Sequence, residues 1–196
     1  MPLLIYGRRY REALDLVGSV PVRVRDPFLA YVVVGKPQTQ ARLLRLLGEP
    51  ERAKPLYEQV LPILRAQLKV QPYLDVGVVW NRIAESELGL GNTAAAMDAL
   101  AKSQAIAFRS DDHLAAPRLM QINASQYAQA NRADPAVPLL ARALAAPGIG
   151  GDYSPVMLWL DPIWDPIRRD ARFQALLQQY ARYKPSVTYD VRPVVH

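Results

Sequence analysis

Four alanines recur along this chain at nearly equal intervals, and their period constrains the fold more than any other feature. Ala13, Ala53, Ala96 and Ala136 are separated by 40, 43 and 40 residues. One helical turn later each is followed by a bulkier residue: Val17, Tyr57, Leu100 and Leu140. Regular periods of this size are typical of repeat proteins, in which successive copies of one supersecondary unit stack on each other. A small residue followed by a bulky one lets two antiparallel helices approach closely, so the period predicts repeated helical hairpins.

The turns of these hairpins are marked as well. Five positions before the last three alanines stand residues that tolerate the positive φ of a tight turn: Gly48, Gly91 and Asn131. Apolar spacings of three and four predict helices over 38–47, 51–69, 73–89, 93–109, 114–129 and 135–145. Residues 20–24 and 187–194 alternate weakly and are interpreted as extended loops. The predicted fold class is therefore all-α, an α-solenoid of antiparallel helical hairpins.

Prolines refine the expected helix boundaries. Pro37 is predicted to lie in the first turn of its helix, where the missing amide hydrogen has no helical partner. The Asp134-Pro135 pair predicts an N-cap followed by proline at the first helical position. Pro55 and Pro62 fall inside the helix that contains Ala53, and we expect them to bend it.

The order of residues within each unit is also informative. The middle unit carries Trp80, Ile83, Ala84, Gly91, Ala96, Leu100 and Ser103, and the next carries Ala124, Tyr127, Asn131, Ala136, Leu140 and Ala143. The preceding unit keeps Ala41, Leu44, Gly48, Ala53 and Tyr57. This order resembles the tetratricopeptide repeat, although that family's usual period is shorter, about 34 residues. The resemblance implies a half-repeat over 8–20 and hairpins over 37–70, 73–109 and 113–146.

Aspartates and aromatic residues recur in the C-terminal segment LDPIWDPIRRDARFQALLQQY, residues 160–180. The aspartates each precede a short helical start and are interpreted as N-caps: Asp161, Asp165 and Asp170. The expected aromatic anchors are Trp159, Trp164 and Phe173. A repeat array needs an atypical terminal unit to cover its apolar end, and residues 153–184 are predicted to be that cap. A metal site made by the three aspartates is the alternative, but helix capping explains each of them without a metal.

The same string is similar to the end of the tetratricopeptide regions attached to bacterial winged-helix regulators, nucleotide cyclases and protein kinases. The resemblance covers residues 8–183, and residues 185–196 are expected to form an extended tail. It implies a regulatory or interaction module, either excised from a larger signalling protein or standing alone. The expected location is cytoplasmic, or periplasmic if the chain is part of a membrane-anchored regulator.

Few residue patterns point to catalysis. The chain has no cysteine, which excludes disulfides, thiol catalysis and cysteine-ligated metal clusters. Of its two histidines, His196 is terminal and His113 is interpreted as a polar residue at a helix start. Glu85 and Glu87 stand two apart on a predicted helix, so they point to different sides and suit acid–base work poorly. No catalytic, cofactor-binding or metal-binding residue is assigned, and the protein is predicted not to be an enzyme.

The net charge of +6 is concentrated in the first third of the chain. Residues 1–70 hold 12 Lys+Arg and 6 Asp+Glu, whereas residues 71–196 hold 12 of each. A basic surface can attract phosphate backbones, so nucleic-acid binding through this third is one alternative function. No interleaved aromatic residues or glycine-rich loop accompany the charge, which argues against nucleic acid as the partner. The longest apolar run, residues 28–34, is too short to span a bilayer, so membrane insertion is not expected.

The resemblance to the tetratricopeptide repeat places the first helix of each unit along a concave groove. Carried over by position, it nominates a polar set with four arginines: Gln38, Arg42, Arg45, Asn81, Arg82, Glu85, Arg118, Gln121 and Ser125. Such a set suits an acidic protein segment or peptide held by charge-assisted hydrogen bonds. The predicted function is therefore a non-catalytic protein–protein interaction or regulatory module. A ligand-sensing domain of a larger signalling or transcription-regulating protein is a second alternative, and it would contain a closed apolar pocket.

The N-terminal helix carries an apolar stripe that a complete hairpin would cover in part. The stripe consists of Tyr10, Ala13, Leu14 and Val17. Large exposed apolar patches are uncommon on soluble monomers and usually mark an interface. We therefore expect a second copy of the chain, in a homodimer, or an upstream domain to cover this end.

Overall fold

The computed structural model describes residues 2–20, 29–69, 73–109, 115–146 and 154–186. Over these ranges the chain is helical and forms no strand, so the all-α prediction is confirmed. Its α-helices are, in chain order, α1 (Pro2–Tyr6), α2 (Tyr10–Ser19), α3 (Leu29–Leu46), α4 (Pro50–Gln67), α5 (Tyr73–Gly89), α6 (Thr93–Arg109), α7 (Ala115–Gln129), α8 (Ala133–Ala145), α9 (Met157–Leu160) and α10 (Ala171–Gln179). Short 3-10 helices follow α9 and α10, at Pro162–Ile167 and Ala181–Tyr183. Apart from Val20, Pro185 and Ser186, the predicted loops and C-terminal tail lie outside the described residues.

Four three-residue turns join consecutive helices with one shared geometry. Each contains a residue with positive φ, with values of 58°, 75°, 85° and 54°: Arg8, Gly48, Gly91 and Asn131. In each turn the next amide donates to the carbonyl five residues back, over 2.8–2.9 Å, as from Asn92 to Glu87. This is the Schellman arrangement, which satisfies the last carbonyls of a helix. The half-repeat expected over 8–20 is thus preceded by α1, which supplies a short first helix and a complete turn.

The alanines of the period are the contact points of the helices. The four alanines of the period, and the three alanines twelve positions before the last three of them, all have 0% exposure: Ala13, Ala41, Ala53, Ala84, Ala96, Ala124 and Ala136. Within each hairpin the two helices pack together, α3 on α4, α5 on α6 and α7 on α8. The first helices also contact one another, α3 on α5 and α5 on α7. Among the described residues, α4, α6 and α8 make no comparable contact with one another. We call the surface shared by α3, α5 and α7 the inner face.

Two expected helix starts are wrong. α3 begins at Leu29, so Pro37 lies inside the helix rather than in its first turn. Packing of α3 against α2, α4 and α5 outweighs the single backbone hydrogen bond that an interior proline removes. α8 begins at Ala133 after an N-cap at Arg132, so Asp134 lies in the first turn and does not cap the helix. A carboxylate there still interacts favourably with the positive end of the helix dipole.

The apolar stripe of α2 is covered within the chain. Ala13 and Val17 are 0% and 8% exposed and form a cluster with the buried Leu43 of α3. Partly buried residues of α1 and α2 surround this cluster: Leu4, Ile5, Tyr10 and Leu14. The stripe is thus covered in part within the chain, while Leu3 nearby is 82% exposed. The homodimer or upstream domain expected at this end stays a prediction.

The C-terminal segment, residues 154–186, is anchored by its aromatic residues. Trp164 and Phe173 are 2% and 0% exposed, their ring centroids lie 6.0 Å apart, and Trp159 is partly buried beside them. The 3-10 helix Pro162–Ile167 packs on α7, and α10 packs on α8. In the part of the chain that the structure describes, no helix is long and apolar enough to cross a membrane.

The aspartates of this segment have two different roles. Asp161 and Asp170 cap helices as predicted, because their carboxylates accept the amides of Ile163 and Arg172 at 2.9 Å. Asp165 is not an N-cap, since it lies inside the 3-10 helix. Its carboxylate is instead engaged in ion pairs that extend beyond the segment.

Candidate functional site

Amide side chains tie the first helices together across the inner face. Gln38 of α3 is 3% exposed, and its Nε2 donates to the carbonyl of Arg82 at 2.8 Å and to the hydroxyl of Ser86 at 3.0 Å. Asn81 of α5, at the equivalent position 43 residues later, is 5% exposed and donates to the carbonyl of Ile122 on α7 at 2.9 Å. The same bond, from a side-chain amide to a backbone carbonyl in the next unit, therefore occurs twice. It fixes the register between successive first helices.

Gln121 occupies the third position of this series, on α7. It is 7% exposed, and its Oε1 has no hydrogen-bond partner within the described ranges. Ser125, one turn later and 8% exposed, donates to the carbonyl of Ile122 at 2.8 Å. With Glu85, which is 4% exposed, five of the nine predicted groove residues are thus buried polar groups. Sequence periodicity does not distinguish such positions from an open groove.

An ion pair between α3 and α5 lies on the same face. The guanidinium of Arg42 donates through Nε and Nη2 to the two carboxylate oxygens of Glu85, at 2.8 and 2.7 Å. The Glu85 side chain is 6% exposed and that of Arg42 is 40% exposed. The negative charge of Glu85 raises the pKa of Arg42 above its usual value. The buried carboxylate of Glu85 therefore lies beneath a guanidinium that still reaches solvent.

Glu87 is engaged on the opposite side of α5. Its carboxylate accepts from Arg65 of α4 at 2.8 Å and from the amide of Asn92 at 2.9 Å, with 5% of the side chain exposed. The spacing of the two glutamates was therefore interpreted correctly, since Glu85 and Glu87 have different arginine partners. Their geometry brings the two carboxylates to separate faces.

The two ends of the described chain meet through a second ion pair. Arg8, in the first turn, contacts Asp165 of the C-terminal 3-10 helix, with Nη1 2.7 Å from Oδ2. The two side chains are 20% and 35% exposed. Arg8 also donates to the hydroxyl of Tyr10 at 2.9 Å, and Arg168 contributes a second cation to Asp165 at 3.0 Å. No local sequence pattern predicts this pair, because its members are 157 positions apart.

Asp161, the N-cap of the same 3-10 helix, also interacts with nearby arginines. Burial raises the pKa of Asp161, and this shift is opposed by the amide of Ile163 and by the positive charges of Arg42 and Arg8. The C-terminal 3-10 helix is further tied to α7, because Gln129 donates to the carbonyl of Ile163 at 2.7 Å. Of the three first helices, the segment therefore packs on α7, and its Asp165 is paired with Arg8 of the first turn.

We call this group of five charged residues the inner cluster: Arg8, Arg42, Glu85, Asp161 and Asp165. Beneath it lies Tyr57 of α4, which is 0% exposed and whose hydroxyl has no hydrogen-bond partner among the described residues. Burial raises the pKa of Tyr57 to about 12, so the phenol stays protonated at neutral pH. Within the cluster Arg42 is paired with Glu85 and Arg8 with Asp165, while Asp161 accepts the backbone amide of Ile163.

The other predicted groove residues border the inner cluster. Arg118 is exposed on α7, while Arg45 and Arg82 are half-buried on α3 and α5. All nine predicted residues thus lie on the first helices. The structure places the 3-10 helix with Asp165 against α7 and pairs Asp165 with Arg8. Sequence reasoning had assigned Asp161 and Asp165 to helix caps and had not singled out Arg8.

Several arginines in the described part of the basic N-terminal third are paired with carboxylates. Arg9 pairs with Glu12, and both Arg11 and Arg52 pair with Glu49. Such pairing lowers the positive potential that a phosphate backbone would require.

A cavity of about 430 Å³ lies away from the inner face, between α2, α3 and α4. Its lining mixes charged and apolar residues: Arg11, Leu14, Asp15, Gln40, Leu44, Arg52, Pro55 and Leu56. This charged lining differs from the closed apolar pocket expected of a ligand-sensing domain.

The described ranges contain neither a group of metal-binding side chains nor a histidine. No group of three or more histidine, aspartate or glutamate side chains there is arranged to hold a metal ion. His113 and His196 lie outside the described residues. In comparisons with known proteins, no family model matches this chain, and no curated protein or solved structure shows significant similarity to it.

Proposed function

We propose that this protein is a non-catalytic interaction module, an α-solenoid of tetratricopeptide-like hairpins that binds a partner protein or peptide on its inner face. The observation that carries the proposal is the inter-unit hydrogen bond that Gln38 and Asn81 make at equivalent positions. A stack of one supersecondary unit needs such coupling, because each unit buries its apolar face only against its neighbours. Curved stacks of this kind offer extended concave surfaces for binding.

The charge of the inner face favours an acidic partner. Arg42 keeps 40% of its side chain exposed although it is paired with Glu85. Arg118 is exposed and Arg45 half-buried on neighbouring first helices. Guanidinium groups bind carboxylates through charge-assisted, often two-point hydrogen bonds, so a segment rich in aspartate or glutamate is the complementary ligand. A regulatory role inside a larger signalling protein belongs to the same proposal, since that role also depends on binding a partner segment.

Affinity capture with matched charge reversals tests the proposal. The first variant carries Arg45→Glu and Arg118→Glu on the inner face. The control carries Arg9→Glu and Arg52→Glu, which are 60% and 64% exposed and belong to α1–α2 and α4. Quantitative mass spectrometry should find partners that the parent and the control capture and the inner-face variant loses. Equal capture by both variants, with both folded by circular dichroism, would contradict a partner site on the inner face.

A further inference from the structure

We propose that the cavity between α2, α3 and α4 is a binding site for a free α-amino acid with an aliphatic side chain. The cavity lies away from the inner face, so this site is separate from the partner site proposed above. Its volume of about 430 Å³ falls within the range of about 300–1,000 Å³ that is typical of small-molecule sites. Its lining combines an aliphatic floor, a carboxylate without a partner and an arginine with unused donors.

The floor of the cavity is aliphatic and belongs to the hydrophobic core. Leu44 of α3 is 5% exposed and lies in the buried cluster that contains Ala53 and Tyr57 of α4. Leu14 of α2 and Leu56 of α4 are partly buried against the same cluster, and all three leucines line the cavity. An aliphatic side chain placed on this floor loses contact with water, which favours its binding.

Asp15 of α2 supplies the carboxylate. It is an exposed residue that lines the cavity, and it has no ion pair or hydrogen bond with another residue in the described ranges. The side-chain amide of Gln40, on α3, also lines the cavity and is likewise without a hydrogen-bond partner there. A carboxylate and an amide oxygen both accept hydrogen bonds, so together they are complementary to an ammonium group.

Arg11 supplies the positive charge, one helical turn before Asp15. Its side chain is 54% exposed and is bonded to Glu49 through Nη2 alone, so the other guanidinium donors can bind a carboxylate. Glu49 also accepts from Arg52, and this carboxylate therefore stays paired when Arg11 contacts a ligand. Residues four apart on a helix have Cβ atoms about 5–6 Å apart, which suits the adjacent ammonium and carboxylate groups of an α-amino acid.

Isothermal titration calorimetry of the full-length chain with L-leucine at neutral pH tests this inference. We expect a saturable binding heat for L-leucine. Three analogues each lack one of the recognised groups: glycine lacks the aliphatic side chain, N-acetyl-L-leucine the ammonium group and L-leucinamide the carboxylate. Loss of either charged group should weaken binding about tenfold, because a hydrogen bond to a charged group contributes about that much. Glycine should bind more weakly than L-leucine, since it buries no side chain on the floor.

Two matched variants locate the site. Asp15→Asn removes the carboxylate of the cavity, whereas Glu58→Gln removes an exposed carboxylate of α4 that does not line it. The Asp15→Asn chain should bind L-leucine about tenfold more weakly than the parent does, and the Glu58→Gln chain should bind like the parent.

Three results would each overturn the inference. They are the absence of a saturable heat from L-leucine with the folded parent, equal affinities of the Asp15→Asn and Glu58→Gln chains, and equal binding of L-leucine and N-acetyl-L-leucine. None of these results bears on the inner face, because capture by the Arg45→Glu/Arg118→Glu chain is measured separately.

Discussion

Arg42 and Glu85 occupy equivalent positions in successive units, 43 residues apart, and their side chains form a two-point ion pair between α3 and α5. The pair belongs to the same face as the amide bonds of Gln38 and Asn81. Polar contacts between the first helices thus follow the same period as the buried alanines. Both the buried alanines and the polar side chains at equivalent positions therefore hold successive hairpins together.

Breaking this ion pair from the arginine side should destabilise the protein. Arg42→Ala leaves the carboxylate of Glu85, 6% exposed, without its cation. Fully buried pairs lose 3–5 kcal/mol in this way, and the 40% exposure of Arg42 lowers the expected loss to ~2 kcal/mol. Urea denaturation measures the difference, with Arg52→Ala as a control that should cost less than ~1 kcal/mol. Similar losses in both variants would show that the Arg42–Glu85 pair is not part of the coupling.

The repeated amide bond can be tested with two glutamines that both donate to a backbone carbonyl. Gln38→Ala removes two hydrogen bonds, to the carbonyl of Arg82 and the hydroxyl of Ser86, and should cost about 1–3 kcal/mol, since each bond contributes about 0.5–1.5 kcal/mol. Gln174→Ala removes the corresponding bond to the carbonyl of Arg168 at an exposed site, where water replaces it, and should cost less than ~0.5 kcal/mol. The free energies of unfolding of the two variants should therefore differ clearly. Equal values would contradict a structural role for the Gln38 bond.

Alanine substitution at two glycines with open space around them distinguishes the cost of backbone strain from the cost of crowded packing. An added Cβ meets no atom within 4 Å at either Gly91 or Gly18, but only Gly91 has positive φ, +85°. Gly91→Ala should therefore destabilise the protein by about 1–2 kcal/mol, because an L residue is strained there. Gly18→Ala lies inside α2 and should stabilise it by about 0.4–1 kcal/mol. Opposite shifts in Tm are expected, and shifts of the same sign would contradict the turn geometry.

The stability of the protein at acidic pH depends on Asp170, the N-cap of α10. The hydrogen bonds from Arg172 lower the pKa of Asp170 to about 2, below the value of about 4 that an aspartate has when unfolded. The unfolded state thus binds this proton first as the pH falls, so the contribution of Asp170 is complete above pH ~4 and is lost toward pH ~2. In Tm profiles from pH 2 to 6, Asp170→Asn should flatten the acidic slope relative to the parent. Parallel profiles of the two chains would contradict the lowered pKa.

Some features of this fold could be predicted from sequence because residue type reveals them. Gly48, Gly91 and Asn131 mark their turns, since glycine and asparagine tolerate positive φ better than other residues do. Arg8 adopts the same conformation, φ 58°, but arginine has no such preference, so the first turn was not predicted. The prediction that Pro37 lies in the first turn of its helix was wrong, because a helix that packs on several sides accommodates one missing backbone hydrogen bond.

The candidate site was harder to predict, for reasons of distance and burial. Periodicity assigned Gln38, Asn81 and Glu85 to the first helices, yet it could not show that neighbouring helices bury them. The pairing of Arg8 with Asp165 joins residues 157 positions apart. It depends on how all the helices between them pack together, so no single segment of sequence encodes it.

The meeting of the two ends over the inner face is the central claim, and intramolecular cross-linking tests it most directly. Because the chain has no cysteine, Arg8→Cys/Asp165→Cys places a single thiol pair at the proposed contact. Arg52→Cys/Asp165→Cys, with one thiol on α4, is the matched control. With a short bismaleimide at low protein concentration, mass spectrometry should find an intramolecular cross-link in the first chain and little in the second. No cross-link in a folded Arg8→Cys/Asp165→Cys chain, or equal yields in both, would contradict the account.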